Sequence, residues 1–135
     1  MYEEFGLLID GAWRQASNGG VVEVRSPATE LLIGTVPSAT ITDETVALSA
    51  AENAFATWSR VPAWERAAIL RRAADLIRER IGAIARIMST ETGKPLAEAE
   101  GEIRASADQF EWYGEEAKRI YGQTIPGRNA DERLT

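Results

Sequence analysis

The sequence predicts an α+β segment, with short antiparallel strands first and four helices after them. Three observations carry that expectation. Up to about residue 40, apolar and β-branched residues fall in four short runs broken by turn-forming residues. Beyond residue 40 the apolar spacing changes to every third or fourth position, the period of an amphipathic helix. Proline and glycine then cut that long helical stretch into separate pieces.

The predicted strands are Phe5 to Ile9, Ala12 to Gln15, Val21 to Arg25 and Leu31 to Val36. Asp10-Gly11, Ser17 to Gly20 and Pro27 punctuate them, and these residue types suit a reversing chain. Two short hairpins are therefore expected.

Thr42 can cap a first helix running to about Trp58, with Val46, Ala50, Ala54 and Trp58 on one stripe and Leu48, Ala51 and Phe55 beside it. Pro62 suits the first turn of a second helix, which continues to Arg80 and buries Ile69, Leu70, Ala73, Leu76 and Ile77. A short third helix from about Ala83 ends near Thr92, because Gly93 accepts the left-handed conformation and Pro95 cannot extend the ladder. Pro95 opens the longest helix, expected to reach Tyr121 before Gly122 stops it. Leu96, Ala99, Ile103, Ala107, Phe110, Ala117 and Ile120 line one face of it over roughly 40 Å at 1.5 Å per residue. Gly101 costs that helix roughly 1 kcal/mol relative to alanine, which predicts close approach of a neighbouring element there. Trp112 and Tyr113 are expected in interhelix packing, and Glu115 with Arg119 as an ordinary i, i+4 pair.

Composition narrows the function. The 135 residues are 44% hydrophobic and 27% charged, the makeup of a folded domain able to bury about two thirds of its unfolded surface. The opening residues hold one brief apolar run and no basic head, and no window has the apolar length of a membrane span. No secretory signal and no membrane partner are expected, and a cytoplasmic location is. With no cysteine and no histidine, disulfides, thiolate metal sites and histidine general bases are excluded. A net charge of −6 argues against nucleic acid. The charge is nevertheless polarised: seven arginines lie between Arg60 and Arg86, and eight acids between Glu91 and Glu116. Two neighbouring helical segments of opposite sign should attract weakly across their solvated faces.

The order of residue types in ETGKPLAEAEGEIRASADQFEWYGEEAKRIYGQTIP, from Glu91 to Pro126, exceeds what helix formation requires. Together with LLIDGAW (Leu7 to Trp13), SPAT (Ser26 to Thr29), ERAAILRRAADLIRER (Glu65 to Arg80) and GRNADERL near the end, it resembles the aldehyde dehydrogenase superfamily and, within it, the succinate-semialdehyde dehydrogenase branch. The resemblance covers nearly the whole chain. It implies the leading portion of an enzyme, decorating its α/β dinucleotide-binding domain. Residues 1–40 would be β-rich hairpins, 41–122 a four-helix region and 123–135 a linker entering a missing strand, one incomplete domain overall. Three departures from the family pattern stand out: Glu30 where glycine usually follows PAT, Pro62 in place of a Ser or Thr cap, and Gly82 where an Asp often opens the next helix. The first should place a small strain on a turn that wants positive φ.

The resemblance also implies chemistry. Such enzymes oxidise an aldehyde by thiolate attack, hydride transfer to NAD or NADP and hydrolysis of the thioester, and this chain has no cysteine to supply the thiolate. Nor does it contain a Gly-x-Gly to cradle a pyrophosphate. No catalytic and no cofactor-binding residue is therefore expected in it, and the chain alone should be inactive and bind no cofactor. By resemblance, Glu102, Ala105, Ser106 and Gln109 fall on the side of the long helix that borders the aldehyde tunnel. Glu102 could equally be one more solvated acid beside Glu98 and Glu100. A bare carboxylate there is awkward for a dicarboxylate-forming substrate unless Arg104 or a residue outside this chain compensates. Some relatives hold a monovalent cation with the backbone carbonyl corresponding to Arg25 and an acid in place of Glu91; local capping or pairing of Glu91 is the competing account. The expected partners are the missing remainder of the subunit and further copies of the full enzyme. A different class of reading is a free-standing helical interaction module that self-associates or binds a full-length relative. Uncovered apolar helix faces would distinguish the two.

Overall fold

The computed structural model describes residues 6–122, together with the backbone of strand residues 125–126 and 133–134. The chain opens with two separate two-stranded antiparallel ribbons: β1 (Leu7–Ile9) with β2 (Ala12–Arg14), and β3 (Val21–Arg25) with β4 (Leu32–Pro37). In the first, Ile9 pairs with Ala12 across the Asp10-Gly11 turn, where both residues have positive φ, as a tight hairpin requires. In the second, the register shifts between Val24 and Arg25, and the connecting turn is closed by the Glu30 amide donating to the Ser26 carbonyl at 2.8 Å. Glu30 adopts φ +60°, so the strain expected of a non-glycine residue after PAT is present.

Helix α1 (Ile41–Trp58) starts at Thr40, two residues before the expected cap. The reason is Asp43. Its carboxylate accepts the Thr40 amide at 2.8 Å while the Thr40 hydroxyl receives the Asp43 amide, closing a capping box. The same carboxylate accepts the Ser17 amide at 3.1 Å, tying the β2–β3 connection to the helix start. These bonds, the Thr40 amide foremost and partly opposed by burial, hold the Asp43 carboxyl below its ordinary pKa.

The remaining helices form the packed unit. Helix α2 (Ala63–Glu79) runs directly into α3 (Ile81–Thr92), with Arg80 ending one and starting the other, so α3 begins two residues before the expected Ala83. Gly93, at φ +75°, terminates α3, and Pro95 precedes α4 (Leu96–Glu116). The last turn of the long helix tightens into a 3-10 turn (Ala117–Arg119), so the α-helix stops short of the expected Tyr121. Strands β5 (Ile125–Pro126) and β6 (Arg133–Leu134) pair with each other. The expected linker thus carries a short ribbon, and its other residues lie outside the described ones.

Small side chains make the core. Ala67 and Ala74 of α2, Ala85 of α3, and Ala99, Ile103, Ala107 and Gly114 of α4 are buried, with Ile77, Ile81, Ile84 and Met88 packed around the α3–α4 contact. Gly114 lets α4 approach α2 closely: a Cβ there would sit 3.3 Å from the Ala67 carbonyl oxygen. That role was expected of Gly101, which has open space around it.

Expected burial fails in one consistent way. On α1, Val46, Leu48, Phe55 and Trp58 are exposed, as are Ile69 on α2 and Phe110, Trp112 and Tyr113 on α4. Each lies on a helix face that the described residues leave uncovered, since periodicity identifies a face and not its neighbour. Among the described residues no large side chain is fully buried.

The expected attraction between α2 and α4 takes specific form. The Arg78 guanidinium donates to Asp108 at 2.8 Å and to Glu111 at 2.6 Å, and Arg71 donates to Glu115 at 2.8 Å. Bonds from Asp108 and Glu111 raise the Arg78 pKa, and bonds from Lys118 first and Arg71 second lower that of Glu115. Glu115 therefore pairs with Lys118, while Arg119 takes Glu116 at i, i+3, replacing the expected Glu115–Arg119 pair.

Candidate functional site

Residues Glu102, Ala105, Ser106 and Gln109 project from α4 at intervals of three and four, and all are exposed. The buried residues Ile103 and Ala107 lie on a different face, so packing against α3 fixes the strip's orientation. Trp112, at 65% exposure, and Tyr113, at 60%, continue the uncovered surface toward the end of the helix.

The charges around the strip are paired in a way the sequence did not reveal. The Lys94 ammonium donates to the Glu102 carboxylate, while Arg104, the cation expected to compensate that acid, bonds Glu100 at 3.2 Å. The Ser106 hydroxyl donates back to the Glu102 carbonyl at 2.9 Å. Lys94 sits between the left-handed Gly93 and Pro95, and its own carbonyl accepts the Ser89 hydroxyl at 2.7 Å. The i, i+8 separation of Lys94 and Glu102 crosses a helix boundary, where no helix-pair rule applies.

A second recess lies where the β3–β4 turn meets the α3–α4 junction. The Pro27 ring packs so close to Gly93 that a Cβ there would be 3.0 Å from Pro27 Cγ. Beside this contact is a cavity of ≈ 510 Å³, with Ser26, Thr29, Leu32, Ser89, Thr90 and Lys94 among its walls. Arg25 and Glu91 each lie next in sequence to a lining residue, Ser26 and Thr90, so the fold brings together the two segments that carry the expected cation ligands. The Arg25 side chain is turned to its own hairpin, donating to Glu23 at 2.6 Å and to the Glu30 carbonyl at 3.2 Å. Among the described residues no group of three or more acids converges into a metal cluster.

A third recess, ≈ 520 Å³, runs between the end of α1, α2 and the end of α4. Its walls are mainly apolar, including Trp58, Ile69, Leu70, Tyr113 and Ile120. The periodicity placed these residues on helix faces but did not show that three helices would gather them around one open groove.

The chain matches known proteins over nearly its whole length. A family model described as the aldehyde dehydrogenase family matches residues 13–135. A glutarate-semialdehyde dehydrogenase of Pseudomonas aeruginosa is 49% identical over 126 residues, covering 93% of this chain and 26% of the relative. The NADP+ succinate-semialdehyde dehydrogenase of Escherichia coli is 46% identical over 127 residues, covering 94% and 26%. A crystal structure described as an Escherichia coli NADP-dependent enzyme superimposes with a TM-score of 0.93 at 45% identity, over 96% of this chain and 27% of that one. The chain spans about a quarter of the length of the relatives it matches.

Proposed function

Because the chain belongs to the aldehyde dehydrogenase family, we propose that it is the N-terminal portion of an NAD(P)+-dependent enzyme that oxidises a semialdehyde, succinate semialdehyde foremost, to the dicarboxylate. The observation that carries this reading is the 46–49% identity, over more than nine tenths of the chain, to relatives named for succinate and glutarate semialdehydes. The uncovered apolar faces of α1, α2 and α4 support it as well, because a larger fold would supply the surfaces that cover them.

In this reading residues 1–40, 41–122 and 123–135 are parts of one domain completed by the rest of the subunit. The thiolate nucleophile and the cofactor site belong to that remainder, since this chain has neither a cysteine nor a Gly-x-Gly turn. This chain's contribution is the α4 strip of Glu102, Ala105, Ser106 and Gln109, set along the aldehyde tunnel. The carbonyl of Arg25 with the Glu91 carboxylate would take a monovalent cation beside the β3–β4 turn. Assembly into a cytoplasmic homo-oligomer completes the reading; no described helix is long and apolar enough to cross a membrane.

The test is steady-state NAD(P)H formation by a full-length enzyme carrying this segment, with succinate and glutarate semialdehydes against uncharged aldehydes of equal length. A kcat/KM favouring the semialdehydes is expected, with no turnover by the 135-residue chain alone. Preference for the uncharged aldehydes, or turnover by the chain alone, would overturn the proposal.

A further inference from the structure

We infer that Lys94 is a specificity-determining residue: by neutralising Glu102 it keeps the aldehyde tunnel open to negatively charged substrates. This rests on the tunnel reading of the α4 strip. A carboxylate on that strip would repel the distal carboxylate of a semialdehyde, and Glu102 is half exposed, with 54% of its side chain accessible. The ammonium of Lys94 removes that repulsion. Its side chain is only 24% accessible, and its backbone is held by Gly93, Pro95 and the Ser89 hydroxyl, so the cation is fixed at the start of α4. Arg104 cannot take over without leaving Glu100.

The pair makes the two single substitutions act in opposite directions. Lys94→Gln leaves a net negative charge at the strip, and Glu102→Gln a net positive one. A unit charge several ångströms from the substrate carboxylate in a partly solvated channel is worth roughly fivefold in affinity. In a full-length enzyme carrying this segment, K94Q should raise KM for succinate semialdehyde roughly fivefold and E102Q should lower it by a similar factor, each with little change in kcat. The K94Q/E102Q double variant should return KM to near the starting value. For an uncharged aldehyde of the same length, none of the three should move KM appreciably.

Ala105→Trp, measured alongside, separates this inference from the reading beneath it. If A105W depresses kcat/KM for both aldehydes while K94Q and E102Q leave the ratio of charged to uncharged KM unchanged, Lys94 has no part in specificity although the strip lines the tunnel. If A105W changes nothing, the strip is not in the tunnel and the role of Lys94 goes with it. Parallel KM shifts for both aldehydes in K94Q would point to a structural role and also overturn the inference.

Discussion

The two glycines of α4 permit one substitution to be tried in opposite surroundings. Gly101→Ala adds a methyl group to open space, so only the backbone gain applies, about 1 kcal/mol for alanine over glycine in a helix interior. Gly114→Ala gains the same, but its methyl carbon lands 3.3 Å from the Ala67 carbonyl oxygen and 3.5 Å from Leu70 Cβ. The first of these is backbone of α2 and cannot rotate away, so the two helices must part by a few tenths of an ångström. Overpacking of this kind costs about 1–3 kcal/mol, enough to cancel or reverse the gain. The two variants should therefore separate by about 1–3 kcal/mol, with G101A the more stable. Amide hydrogen exchange resolved along α4 provides the assay. G101A should slow local opening by roughly fivefold, the equivalent of about 1 kcal/mol, and G114A should leave it unchanged or accelerate it. Equal slowing in both variants, or greater slowing in G114A, would refute the assignment of Gly114 as the close-contact position.

Other perturbations test other features. Glu30→Gly relieves a left-handed non-glycine residue and should stabilise the β3–β4 turn by about 1 kcal/mol, read from exchange protection of the Ser26 and residue-30 amides; a loss of protection there would contradict it. Thr40→Ala removes the hydroxyl side of the capping box and should cost about 1 kcal/mol, seen as fraying confined to the first turn of α1. Asp43 has a folded-state pKa below its unfolded value, so its contribution is complete above the unfolded pKa and is lost as pH falls through the folded one. Protection of the Ser17 amide should accordingly decline on acidification below pH ~4, and Asp43→Asn should flatten that dependence.

The strands and the helical α3–α4 break were legible because their causes are local. The β-branched run Val21 to Arg25 is reproduced to the residue, and the left-handed Gly93 ends α3 as its position before Pro95 required. The cap of α1 was placed two residues late because what settles it is the Asp43 carboxylate, which also binds Ser17, 26 residues away. Burial was misjudged at Phe55, Trp58, Trp112 and Tyr113 because an apolar stripe shows what a helix can cover and is silent about which chain supplies the partner. For the candidate site, the spacing of Glu102, Ser106 and Gln109 gave a common strip, whereas the Lys94–Glu102 pair depends on how the chain turns at Pro95.

The contact between Pro27 and Gly93 places a limit on how this sequence can vary. Asparagine is the usual replacement for glycine at positive φ, yet at position 93 it escapes only the backbone penalty, because its Cβ still meets the Pro27 ring at 3.0 Å. Positions 27 and 93, far apart in the chain, are thereby genetically coupled. In a saturation scan asparagine at position 93 should be penalised more with proline at position 27 than with a smaller residue there.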